Sequence, residues 1–191
     1  GDPIEITYAC DIQVNDVVNC NPPTVINGVD LNLSGGSGNY TIVNMGAGNL
    51  SSTNVPNGGT TTVSNLNNAS VWDVQITDAE GCVTTASGTF VGPVISSLTI
   101  TPAPDCPLTG TGDVDVTVNG TSGNGGPYTI VMAGDPPTVG TTDSYTDVAG
   151  TIVPVVVADN QGCIADSTVT ITSAGHFIDV QIQSVQGEEC W

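Results

Sequence analysis

The chain has 191 residues, nineteen of them acidic, with no lysine and no arginine, for a formal charge of −19. Nothing on it can displace the counterions of a phosphate backbone, so nucleic acid is excluded as a partner, and the same lack argues against anionic membranes. The longest apolar run, near 152–158, is short and interrupted by Pro154, so it cannot span a bilayer and no membrane insertion is expected.

In chain order, IEITYA within residues 1–9 alternates like a strand and reads as the tail of a preceding repeat or as a donor strand. DIQVNDVVNC (11–20) follows and ends in a cysteine. In VDLNLSGGSGNYTIV (29–43), Val29, Leu31 and Leu33 alternate with Asp30 and Asn32, which predicts one buried and one solvated face. A Gly-rich turn at 35–38 leads into a YTIV strand, then a looser stretch rich in Gly, Asn and Ser. VWDVQITDAEGC (71–82) and VTTASGTF predict a tight hairpin, with Asp opening the turn and Gly closing it.

The same order then returns. SLTITPAPDC (97–106), VDVTVNGTSGNGGPYTIV (114–131), VPVVVADNQGC (153–163) and IADSTVTIT follow one another, and DVQIQSVQGEEC (179–190) starts a third time. Tyr40-Thr41-Ile42-Val43 recurs as Tyr128-Thr129-Ile130-Val131, and Cys20, Cys106 and Cys190 recur at intervals of 86 and 84. Periods of this length signal an array of small domains. Thr, Val and Ile fill the runs, aromatics are only 4%, and no segment has sustained helical spacing. The fold class expected is all-β, as tandem immunoglobulin-like β-sandwich domains over 10–93 and 94–175, with 176–191 as the head strand of a third repeat or a donor strand. The antibody-type Cys…Trp…Cys pattern is absent, so only the architecture is implied. No signal peptide is seen at the front, which reads as a mature product or a stretch of a longer chain.

A head strand ending in Cys, a GGxxxYTI-like strand and a DxxGC hairpin ahead of a Thr/Val-rich strand resemble the SprB-type repeat. That repeat occurs in very large surface adhesins of gliding bacteria of the Bacteroidota. The most specific residues are Asp78, Gly81 and Cys82, then Asp159, Gly162 and Cys163, with the YTIV strands. The second repeat also keeps the expected Pro127 before Tyr128, where the first has Asn39. The resemblance implies an exported sandwich module displayed in tandem, with no catalytic residues to carry over.

Six cysteines without CxxC spacing point to disulfides in an oxidising compartment rather than to zinc. The resemblance implies Cys20 with Cys82 and Cys106 with Cys163, each bridge stabilising its repeat by about 4 kcal/mol in a chain-entropy estimate. In standard sandwich order the first strand ends at the pole opposite the late hairpin. So either that strand runs differently, or bridges such as Cys20 to Cys163 join neighbouring domains. Intradomain bridges are preferred because each repeat then carries its own staple. Cys10 and Cys190 are left as inter-domain or inter-subunit candidates.

The remaining candidates are weighed against structural roles. His176, the only histidine, has no positioned Ser and acid around it and reads as linker. Asp78, Glu80, Asp113, Asp115 and Asp159 offer hard oxygen ligands for weak extracellular calcium, though no EF-hand or nonapeptide motif is present. Solvated strand faces need acids too, and diffuse screening of the charge is the simpler use of divalent ions. Trp72 and Trp191 could stack on surface glycans, but Val153 stands where a second Trp72 would be. Asn32, Asn39, Asn49, Asn68 and Asn119 lie in glycosylation sequons, which matter only in a source that uses them.

The function expected is a non-catalytic structural segment of an extracellular, cell-surface adhesin or filament, whose partners are neighbouring copies or repeats of itself. The lack of Lys and Arg also makes it resistant to trypsin-like proteases. A second reading is a filament protomer that lends a terminal strand to its neighbour. A third, an accessory module of a secreted hydrolase, ranks last because no nucleophile–base pair or paired-carboxylate motif stands out.

Overall fold

A computed structural model describes residues 10–21, 26–102, 111–132, 135–149 and 152–171. Among them the chain is all-β, built of antiparallel sheets with no helix. It divides into two compact units: one runs to Gly92 and takes in Gln161–Ile164, and the other begins at Pro93 and resumes at Ala165.

In the first unit β1 (Gln13–Asn21) pairs antiparallel with β2 (Ile26–Ser34) along its whole length, from Gln13 opposite Ser34 to Asn21 opposite Ile26. The chain continues through β3 (Tyr40–Asn44), the short β4 (Asn49–Leu50) and β5 (Asn54–Val55), and β6 (Thr60–Ser64). It closes with the hairpin of β7 (Val71–Thr77) and β8 (Val83–Thr89). One sheet has the order β1-β2-β6-β4 and the other β5-β3-β7-β8. From β2 to β7 every step changes sheet, so the two sheets form as a pair and share one core. Val29, Leu31, Leu33 and Val63 come from the first sheet, and Tyr40, Ile42, Val74 and Ile76 from the second, all buried in a single cluster.

With no cation on the described strands, the outer faces hold their carboxylates by neutral donors. Asp30 accepts from Asn19 Nδ2 at 2.8 Å on one side and from Thr62 Oγ1 at 2.5 Å on the other, tying β1, β2 and β6 together across the sheet. Such cross-strand pairs do the work usually shared with Lys–Glu partners.

The second unit contains β9 (Ile95–Pro102), β10 (Thr111–Val118), β11 (Thr129–Met132), β12 (Thr138–Val139), β13 (Thr142–Ala149), β14 (Val153–Ala158) and β15 (Ile164–Val169). Its sheets have the orders β13-β10-β9 and β12-β11-β14-β15. Each strand has a counterpart in the first unit at the same place in the same sheet, and only β4 has no described equivalent. Val114, Val116 and Val118 point inward as Val29, Leu31 and Leu33 do, and they meet Tyr128, Ile130, Val155 and Val157.

The disulfides differ from the pairing that the resemblance implies. Cys20 does not bond Cys82: Cys10 does, with Cα atoms 5.5 Å apart, and Cys20 bonds Cys163 at 4.7 Å. The reason is strand length. Cys20 lies opposite Asn27 at one end of the β1–β2 pair, whereas Gln13 lies opposite Ser34 at the other, next to the loop that meets the hairpin. Seven residues of strand separate those ends by about 24 Å, far beyond the reach of one disulfide. Cys10, just ahead of β1, is therefore the cysteine at the hairpin pole, and it is not an inter-subunit bridge. Cys163, bonded to Cys20, is not the partner of Cys106. Cys106 and Cys190 lie outside the described residues, as do His176, Trp191 and both stretches, 1–9 and 176–191, read as donor strands.

Candidate functional site

The hairpin pole of the first unit gathers the motif residues. Cys10, Asp11, Gly36, Ser37, Asp78, Glu80, Gly81, Cys82 and Val83 line a concavity of about 490 Å³. Among these Asp78 is only 7% exposed. Its Oδ1 accepts the backbone N–H of Glu80 at 3.0 Å and of Cys82 at 2.8 Å, and its Oδ2 accepts that of Ser37 at 2.9 Å. Burial pushes this carboxyl up, but the N–H groups of Cys82, Ser37, Glu80 and Gly81 outweigh burial and hold it below the ordinary aspartate range.

The sequence folds this way for local reasons. Gly81 takes φ +84°, which closes the turn with its N–H on the Asp78 carbonyl at 3.1 Å. Gly36, at φ +59°, brings backbone so near that an added Cβ would lie 2.9 Å from Asp78 Oδ2. Its N–H also donates to Asp11 Oδ1 at 2.8 Å, so two successive loop amides serve two different carboxylates. Beneath them Tyr40 is fully buried, and its hydroxyl donates to the Gly35 carbonyl and lies 2.9 Å from Asn57 Oδ1. Burial, then the charges of Asp78 and Asp11, push the Tyr40 phenol up.

The second unit repeats the latch. Asp159, 5% exposed, accepts from the backbone N–H and from Nδ2 of Asn124, both at 2.9 Å on Oδ2. Gly162 takes φ +82°, and the Tyr128 hydroxyl donates to the Ser122 carbonyl at 2.7 Å. In both units the Asp of the hairpin binds amides of the Gly-rich turn, so the repeated phrase is a fastening.

Of the calcium candidates, Asp78 and Asp159 accept hydrogen bonds from the protein itself. Calcium takes six to eight oxygens. Asp113 and Asp115 stand on the outer face of β10, where Asp115 Oδ1 accepts from Ser144 Oγ at 2.6 Å, and Glu80 is exposed. Among the described residues no three acids, cysteines or histidines come together as a metal site. Trp72 is 3% exposed with its ring over Gly88, so it presents no face to a sugar. Of the sequons, Asn39 and Asn49 are exposed. Asn68 and Asn119 are also exposed but use Oδ1 on the N–H groups of Gly92 and Thr121. Asn32 is tied into its sheet, donating to the Asn15 carbonyl and accepting from Thr60 Oγ1.

Four participants were not singled out in the sequence: Asp11, Ser37, Asn124 and Asn27. Asn27 donates Nδ2 to the Ile164 carbonyl at 2.8 Å and accepts the Ile164 N–H at 2.9 Å on Oδ1, flanking the Cys20–Cys163 bond within the first unit. The recurrence of a Gly-rich turn and an Asp hairpin in both repeats was the signal that could have paired them. Comparison with protein-family models and with curated proteins found no match. No helix among the described residues is long and apolar enough to cross a membrane.

Proposed function

We propose that this chain is a non-catalytic structural segment of an extracellular surface adhesin or filament, built from immunoglobulin-like sandwiches in tandem. One observation carries the reading: what the sequence repeats is the latch of Asp78 and Asp159, whose oxygens are turned inward onto backbone amides. A duplicated catalytic or binding motif would keep its polar atoms facing a ligand. The two disulfides suit an oxidising compartment, and a strongly acidic surface without basic residues keeps neighbouring chains soluble and apart. The resemblance to SprB-type repeats agrees with a module that spaces and displays.

The test is the mass of the native material after reduction and denaturation. A mass far above 19.2 kDa places residues 1–191 inside a long array, as the proposal expects. A mass near 19.2 kDa makes the chain a protomer and removes the tandem-segment reading.

A further inference from the structure

The two disulfides differ in where they lie along the covalent chain. Cys10–Cys82 closes a loop of 72 residues and Cys20–Cys163 one of 143, and the loops overlap. Any force applied to the two ends follows the shortest covalent route. That route runs from residue 1 to Cys20, across the bond to Cys163, and on to residue 191. Cys10–Cys82 does not shorten it, because Cys10 already reaches Cys20 directly along the backbone.

We propose that the crossed bridges make this chain a strain-limited tether: the Cys20–Cys163 bond takes the tension, and the residues between those two cysteines are never drawn out. This rests on the reading of the chain as a connecting segment, since only such a chain is pulled along its length. Burial sorts the bridges in the same sense. Cys163 is 0% and Cys20 8% exposed, in the core of the first unit, whereas Cys10 is exposed and Cys82 partly so. The bond on the force route is the one hidden from attacking thiolates, and the accessible bond lies off it. The clasp of Asn27 on Ile164 beside the buried bond holds the same segment by hydrogen bonds.

Single-molecule extension of the full chain held at its two ends tests this, with Cys106→Ser and Cys190→Ser so that only the two described bridges remain. The extended length expected is that of about 47 residues, roughly 170 Å at about 3.6 Å per residue. Adding Cys20→Ser with Cys163→Ser moves the route through Cys10–Cys82 to about 118 residues, a ~2.5-fold increase, while Cys10→Ser with Cys82→Ser leaves the length unchanged. Extended length reports which bridges have formed, so the disulfides of each variant are mapped before extension and only molecules carrying the intended bridges are read. Extension of the parent chain to about 118 residues or more overturns the proposal, and so does a lengthening caused by loss of Cys10–Cys82. A short extension together with a native mass near 19.2 kDa keeps the tether and removes the tandem-segment reading. A long extension with a much larger native mass does the reverse.

Discussion

Trp72 and Val153 occupy the same place in the two units, on β7 and β14, and Gly88 and Val169 stand at the matching places on β8 and β15. All but Gly88 count among the buried core residues, yet the volumes are divided differently. In the first unit a large ring lies over a bare glycine: a Cβ at Gly88 would lie 2.7 Å from the Trp72 ring. In the second unit two valines share the space. The latch behaves otherwise, since Asp78 and Asp159 are the same residue in both. Core positions can exchange size because dispersion and burial have no direction, provided the total volume holds. A latch cannot, because its hydrogen bonds have direction: in both units a hairpin carboxylate meets an N–H of the Gly-rich turn, and a side chain of another shape would not reach it.

The largest effects should test what the units share. Tyr40→Ala and Tyr128→Ala each delete a fully buried ring and should destabilise their own unit by about 3–5 kcal/mol in denaturant unfolding. Tyr→Phe should cost only ~1 kcal/mol at either position, because each hydroxyl has one proton to donate to a backbone carbonyl. Equal and negligible losses for both alanine variants would show that the phenols do not anchor the two units.

The volume exchange gives the next effect. Gly88→Val alone should cost about 1–3 kcal/mol through overpacking on the indole. Trp72→Val alone should cost about 2–4 kcal/mol through the cavity it leaves. Together they install the second unit's pair in the first, and the double variant should be better than the sum by about 0.5–3 kcal/mol. Strict additivity in a double-mutant cycle would refute the exchange.

The smallest effect concerns the latch. The folded carboxyl of Asp78 titrates below its unfolded value, so the folded state binds fewer protons in that window. Its contribution is present above the unfolded aspartate value of about 3.9 and is lost as pH falls through the folded value. Asp78→Asn should therefore lower stability at neutral pH and flatten the acid limb of a melting-temperature profile. An acid limb as steep as that of the parent chain would mean that Asp78 is not held by the amides around it.

Much of this molecule was legible before its structure. Alternation at Val29–Leu33 and Val114–Val118, the YTIV strands, and the Asp-to-Gly turns at 78–81 and 159–162 are short-range signals, fixed by strand pleat and by glycine's access to positive φ. They determined an all-β chain with two matching sets of strands. Three matters were settled only in three dimensions. The Trp72 ring found room in the core because residue 88 on the next strand has no side chain. One oxygen of Asp78 accepted the Ser37 N–H from a loop 41 residues earlier. The cysteines found partners 72 and 143 positions away, against the pairing that the repeat implied. A disulfide needs two Cα atoms within about 7 Å, and sequence spacing carries no measure of that distance once a strand of about 24 Å lies between the candidates.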